Sequence, residues 1–300
     1  MAVVFRPVGG LGNQLSVWAH ALSLSRELAE PLGVDTSFYV GSSSRTYELD
    51  SFDSGIDFAN KDRKPKRLQR ILSPITPTRS VIPVSDAKPW LVGKKRHGDV
   101  FVNGYFQNRL EWRAHYNEIR RRVNSLQGPS KWFQHMRDQL QEVGPYVAIH
   151  VRRGDYSLHR KLGVLPTPYY RSALELLGIG KKGAAPMLLF TEFPHSISNP
   201  AEFSSGADVV VVDPPVKSRP IESLLLMANA SSIIIANSTF SWWAATLGSA
   251  EAVAFPAPWF RDPRLQHPSP QASHWLEVPS GLSDAMPGRR YNVPCRREKS

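Results

Sequence analysis

Three short segments carry residue types suited to handling a phosphorylated ligand. The first is Gly9-Gly10-Leu11-Gly12-Asn13-Gln14. Glycines there let the backbone approach a ligand, and a helix starting there presents partial positive charge. The spacing matches neither G-x-G-x-x-G nor the P-loop, so a tight turn packing helix on strand explains it equally well. The second is Ile149-His150-Val151-Arg152-Arg153-Gly154-Asp155-Tyr156. Arginine offers a rigid fork of donors that fits phosphate oxygens. Alternation along a strand sends neighbours to opposite faces, so one Arg is expected at the ligand and the other as a brace. Asp155 can orient an Arg or a hydroxyl, and an Arg–Asp ion pair capping a strand is the competing explanation. The third is Asn237-Ser238-Thr239-Phe240-Ser241-Trp242-Trp243. Asn, Ser and Thr suit N-cap positions, and hydroxyls beside free N–H groups make an anion site.

The elements that must position these loops follow from the apolar pattern. Val3–Phe5 reads as a buried strand, and 13–29 recurs at helical spacing through Leu15, Trp18, Ala19, Leu22 and Leu28. Residues 40–100 are irregular, 100–106 suggest a strand, and 110–142 predict one or two charged helices around Gly128-Pro129. From Tyr146 onward strands and helices alternate: strands at 146–151, 187–191, 209–212, 233–236 and 253–255; helices at 168–177, 220–230 and 241–247. That alternation, with short connections, predicts a parallel sheet covered by helices. The expected units are 1–143, 144–288 and a basic tail at 289–300.

Composition sets the outer bounds. A chain of 300 residues with 41% hydrophobic content buries a real core rather than staying disordered. The net charge of +11 favours anionic ligands, without choosing among nucleotide-sugars, nucleic acid and anionic membrane. The single cysteine, Cys295, forms no intrachain disulfide and fits a reducing compartment. Met1–Arg6 has no signal-peptide pattern, and no run reaches the roughly 18 apolar residues of a membrane span. A cytoplasmic location is expected. The basic segment 61–70 is a candidate for peripheral contact with an anionic membrane or a lipid-linked pyrophosphate, with a solvated loop as the alternative.

In their order and wording the three loops resemble bacterial α-1,2-fucosyltransferases of glycosyltransferase family 11. Gly104-Tyr105-Phe106-Gln107, Tyr169-Tyr170, the Glu222 to Met227 helix and Pro258-Trp259-Phe260 extend the resemblance. It implies an α/β, GT-B-like fold, with two Rossmann-like domains facing across a cleft. The second domain would hold GDP-fucose and the first would shape the acceptor side. It further implies inverting transfer of L-fucose to a galactoside hydroxyl in an α-1,2 linkage, with no metal or cofactor. The sequence is compatible, because it has no Asp-x-Asp of the metal-dependent kind.

On that resemblance Arg153 and Arg152 stabilise the leaving GDP, and Asp155 is a candidate base or brace. His150, Glu192, Glu222, Asn237, Ser238, Thr239 and Ser241 are expected at the donor, with Glu192 toward guanine and Glu222 toward ribose. Gly10, Gly12, Asn13 and Gln14 are expected on the acceptor side. One departure is notable: where the family carries Asp-Asp, this chain has Glu192-Phe193. Two other classes stay open. One is a transferase of the same fold with another donor or linkage. The other is a basic nucleic-acid-binding protein, although no nucleic-acid motif stands in the sequence, so no nucleic-acid partner is expected. A Rossmann dehydrogenase lacks its fingerprint.

Overall fold

A computed structural model describes residues 2–40, 45–59, 99–102, 104, 106, 112–154, 156, 159–179, 185–204, 208–265 and 275–282. Two parallel sheets organise the chain. The first contains β1 (Val3–Phe5), β2 (Leu32–Val34), β3 (Phe58–Ala59) and β4 (Val100–Val102), in the order β3-β2-β1-β4. Val3, Val4 and Phe5 are all buried, as a central parallel strand covered on both faces requires. Gly33 in β2 leaves room for the ring of Phe58, which a Cβ there would strike.

Helix α1 (Leu11–Leu28) follows β1 and is buried around most of its circumference. A helix of that kind is enclosed on more than one side. Here one side lies on the first sheet and another against a helix of the second unit.

The expected charged region resolves into two helices, α2 (Tyr116–Val123) and α3 (Lys131–Val143). They are parted at Gly128, whose φ of 56° lies in the left-handed region. Ser130 caps α3 by accepting the Phe133 N–H at 3.1 Å. The strands of the two sheets divide between Val102 and Val147, an interval that includes the expected 143/144 boundary. Helix α3 packs against a helix of the second unit.

The second sheet contains β5 (Val147–Val151), β6 (Met187–Thr191), β7 (Val209–Val211), β8 (Ser232–Ile234), β9 (Ala252–Ala257) and β10 (Trp275–Pro279). Its order is β10-β9-β8-β5-β6-β7, with every pair parallel. Counted from its own first strand this is 3-2-1-4-5-6, the Rossmann order, with the switch point between β5 and β8. Helices α4 (Thr167–Leu176), α5 (Pro220–Ala228) and α6 (Thr239–Leu247) cover it. The first two carry Pro at the start, where the missing N–H costs nothing.

Period-two alternation divides this sheet between two cores. Val147, Ile149 and Val151 join Leu189 and Ile234 on one face, while Ala148 joins the core that contains α1 and α6 on the other. Strand β10 escaped the sequence reading because only Trp275 and Val278 of its five residues are buried, which is not strand periodicity. Pairing with β9 defines it.

Candidate active site

The topology brings two of the three loops together. Strands β5 and β8 pair at Ile149 and Ile234, so the arginine loop and the loop opening α6 leave the sheet side by side at its switch point. In such sheets ligands bind beyond the carboxyl ends of the strands at that position. Where the loops meet, the rings of His150 and Phe240 lie 5.6 Å apart, inclined by 41°. His150 is buried, and burial, helped by the charge of Arg152, pulls its pKa from 6.5 to about 3. The imidazole is therefore neutral at pH 7.

Each arginine faces a carboxylate. Val151 pairs with Thr191 across β5 and β6, which sets the next residues, Arg152 and Glu192, opposite each other. Arg152 Nε lies 3.3 Å from Glu192 Oε1, and its guanidinium stands 5.1 Å from the Tyr156 ring centroid. Gly154 is a steric requirement, because a Cβ there would strike Glu192 Oε1 and come within 2.9 Å of Phe193. Arg153 reaches Glu202 at 3.4 Å and lies 5.5 Å over the Phe203 ring. The Arg153–Glu202 pair is long and partly exposed. Pairs of that kind contribute about 0–1 kcal/mol, so releasing Arg153 from Glu202 costs little. No sequence motif marks Glu202. It sits in the 3-10 turn Pro200–Phe203 and meets Arg153 only through the fold.

The start of α6 is built differently from the expected row of phosphate-binding hydroxyls. Ser238 spends its oxygen as the N-cap, accepting the Phe240 N–H at 3.3 Å. Ser241 is buried and its hydroxyl is 3.3 Å from Ser238 O and 3.4 Å from Ala236 O, the carbonyls it donates to. Asn237 is fully buried and its amide donates to Gly163 O and Leu162 O at 3.0 and 3.3 Å. The assignments of Asn237 and Ser241 as donor ligands are therefore corrected: both side chains shape the loop from inside. Thr239 alone reaches outward, donating to Asn13 Oδ1 at 2.9 Å.

That bond brings in the glycine-rich turn. A Cβ on Gly12 would lie 2.6 Å from Phe240 N and from the Thr239 carbonyl carbon. Gly12 is thus glycine because the backbone of α6 occupies the space. The close approach is to protein rather than ligand, and it joins two units rather than a helix and its own strand. Four residues on, one helical turn, Ser16 accepts the Trp243 indole N–H at 2.9 Å. Trp112 stacks on Trp243 at 5.0 Å, and Tyr116 donates to Thr246 O at 2.7 Å.

Gln14 also requires correction. It is fully buried, donates to Thr46 O at 2.7 Å and Gly9 O at 3.1 Å, and accepts the Glu48 N–H at 2.9 Å. With its amide committed to three backbone groups, it braces the 46–48 segment instead of touching acceptor. Gly10 is open by comparison, with Arg45 at an ordinary 3.7 Å from a Cβ placed there.

Glu222 is a third correction. It is fully buried, with one oxygen accepting the Ser130 N–H at 2.7 Å and the other the Ser130 hydroxyl at 2.9 Å. Arg219 lies beside it at 3.5 Å and donates to the carbonyls of Gln127 and Gly128. Glu222 therefore ties α5 to the start of α3, and no oxygen faces a ribose. Tyr169 likewise is core, its hydroxyl donating to Ile235 O at 2.7 Å. Asp155, the 61–70 segment, Tyr105, Gln107 and the 289–300 tail lie outside the described residues.

Comparison with known proteins places this geometry. The profile of Glycosyl transferase family 11 matches residues 91–277. The O-antigen biosynthesis glycosyltransferase WbnK of Escherichia coli is 27% identical over 285 residues, covering 84% of this chain and 93% of that protein. The Escherichia coli alpha-1,2-colitosyltransferase is 25% identical over 295 residues, covering 92% and 98%. Among solved structures, the fucosyltransferase NodZ from Bradyrhizobium superposes with a TM-score of 0.52 at 15% identity, covering 82% of this chain and 93% of that one. NodZ alpha-1,6-fucosyltransferase soaked with GDP-fucose gives 0.51 at 15%, covering 83% and 93%. The two-sheet architecture is GT-B-like, as the sequence resemblance implied. Among the described residues no helix is long and apolar enough to cross a membrane.

Proposed function

The chain belongs to glycosyltransferase family 11, and from that premise we propose that it transfers L-fucose from GDP-fucose to a galactoside hydroxyl, with inversion and in α-1,2 linkage. The observation that carries this reading is the position of two arginines and the start of α6 together at the switch point of a 3-2-1-4-5-6 sheet. Transfer builds negative charge on the β-phosphate as the bond to the sugar breaks. Preorganised cations and N–H dipoles aimed at that charge lower the barrier. Arg153 is assigned to the diphosphate, because its present partner is cheap to displace. Arg152, set against Glu192, orients the loop and adds to the local field. The Phe240 N–H is taken by the Ser238 hydroxyl, which leaves the neighbouring N–H groups of the first turn of α6 as the ones assigned to the same phosphates.

Phe193 supports a base-binding role for the end of β6. It stands exposed beside Gly154 and Glu192 and offers guanine a ring to stack on. Both carboxylate oxygens of Glu192 are buried beside Arg152, so the base N–H groups reach them only if that side chain turns outward. His150, neutral and buried beneath the loops, sets their positions and does not serve as a cation.

A second reading concerns the sugar. One relative is named a colitosyltransferase, so a colitosyl donor on the same nucleotide is the alternative within this site. A thermal-shift panel of GDP, UDP and ADP, followed by transfer from GDP-fucose and its colitosyl analogue onto β-galactosides, tests both readings. Stabilisation by GDP alone, with turnover of GDP-fucose, is the expected result. Stabilisation by UDP or ADP instead of GDP would sink the proposal.

A further inference from the structure

Two ion pairs hold the arginine loop, and they are unequal. The Arg153–Glu202 pair stands in the open, its side chains 37% and 35% exposed. The Arg152–Glu192 pair is enclosed, at 3.3 Å with side chains 16% and 23% exposed, and both carboxylate oxygens of Glu192 are shut off from solvent. An open pair separates cheaply. Separating an enclosed one strips a charge of its partner where little water can replace it.

The surroundings of Glu192 hold its carboxylate toward the arginine loop. The Gly154 backbone fits against it, since a Cβ there would strike Glu192 Oε1. Tyr170 is fully buried, with its hydroxyl beside the Arg152 backbone and within the field of Glu192. Its ring packs edge-on against Phe203 at 5.3 Å, and Phe203 lies under the Arg153 guanidinium. The two arginines therefore share one buried aromatic floor. Phe193 is the residue that stands out beyond the end of β6, 54% exposed. It offers its ring there, while Glu192 is turned to Arg152.

We infer that Glu192 is a positioning residue for the diphosphate end of the donor: its carboxylate stays on Arg152, sets the turn that aims Arg153, and takes no part in reading the base. The inference rests on the transferase reading above and deepens it. A carboxylate that swung out to the base N–H groups would leave the enclosed Arg152 guanidinium without this partner. It would also give up its fit against Gly154. Loss of Glu192 is therefore felt in turnover and not in the choice of base.

The test uses the full chain and its Glu192→Gln, Arg152→Gln and Glu192→Gln/Arg152→Gln variants. Dissociation constants are measured for GDP, for IDP, which lacks the 2-amino group, and for ADP, which also lacks the N1–H. Steady-state kcat and KM are measured with GDP-fucose. An amide offers one acceptor oxygen where the adjacent N–H groups of guanine call for two, so a base reader would lose selectivity as Gln. The expected result is a kcat about ten-fold or more lower in Glu192→Gln, as for a lost hydrogen bond to a charged group, with KM within about three-fold of wild type. The GDP-to-IDP and GDP-to-ADP ratios should stay within about two-fold of wild type in all three variants, because two-fold is far below the loss of a charged hydrogen bond. The double variant should be no slower than Arg152→Gln, since both changes remove one pair. It leaves neither charge of the pair behind, so it reports the ratios even where a single variant is unstable. A preference for GDP over ADP that collapses in Glu192→Gln, or additive losses of kcat in the double variant, overturns this inference alone. Absence of GDP binding by the wild-type chain overturns the transferase reading and this inference with it.

Discussion

The Thr239 hydroxyl donates to Asn13 Oδ1 at 2.9 Å across 226 positions of sequence. It links the first turn of α1 to the first residue of α6, and so joins the two units beyond the carboxyl ends of β1 and β8. Asn13→Ala and Thr239→Val are therefore coupled. A double-mutant cycle on unfolding free energy is expected to return about 0.5–1.5 kcal/mol. Additive single variants would show that the contact contributes nothing.

Gly12→Ala meets backbone, which cannot swing aside as a side-chain tip can. Alanine normally favours a helix over glycine by about 1 kcal/mol, but the clash with Phe240 N outweighs that gain. Net destabilisation of about 1–3 kcal/mol is expected, read by urea unfolding. Gly10→Ala, with only Arg45 near and φ at −81°, serves as the clash-free comparison, losing only the preference of the N-cap position for glycine over alanine. Equal stability of the two variants would remove the close approach from the account.

Glu222→Gln keeps the side-chain shape and removes the charge held by Ser130. Because the carboxylate is fully buried, a loss of about 1.5–3 kcal/mol in stability is expected, with KM for GDP-fucose within two-fold of wild type. A large rise in that KM at undiminished stability would restore the ribose role.

Arg153→Lys retains one charge but not the fork of donors. The fold is expected to persist, because the Glu202 contact is long and partly exposed. Steady-state turnover is expected to fall by about 10²–10³, the usual cost of losing one preorganised donor at a developing anion. Near-normal kcat would remove the central assignment. Glu202→Gln, which only releases Arg153, should leave kcat within a few-fold.

The depressed pKa of His150 has a stability consequence. The unfolded chain takes up a proton near pH 6.5, whereas the folded one resists until about pH 3. Between those values the unfolded state binds more protons, so stability falls as pH falls. His20, lowered by burial to about 4, acts in the same direction. Replacing His150 with Gln should flatten the acid limb of a stability-versus-pH curve between pH 6.5 and 4. An unchanged slope in the variant would assign the acid sensitivity elsewhere.

The sequence by itself determined the local pieces. Short buried apolar runs such as Val147–Val151 are legible as parallel strands, and Pro168, Pro220 and Gly128 punctuate helices, because strand burial, a fixed φ and the left-handed region are properties of a few adjacent residues. The order of the three loops was enough to indicate the fold and the family. Only the tertiary structure decided which polar side chains are available. Asn237, Ser241, Gln14 and Glu222 read as ligands because their atoms can bind one, yet Ser241 is spent on the nearby carbonyls of Ser238 and Ala236, and the other three have partners on distant segments: Leu162 and Gly163, residues 46–48, and Ser130. Whether a donor or acceptor is spent inside the protein depends on what the fold brings within 3 Å of it, and that is a long-range property. For the same reason Glu202 opposite Arg153, and Gly12 under the backbone of α6, could be recognised only once the two sheets and the helices between them were in place.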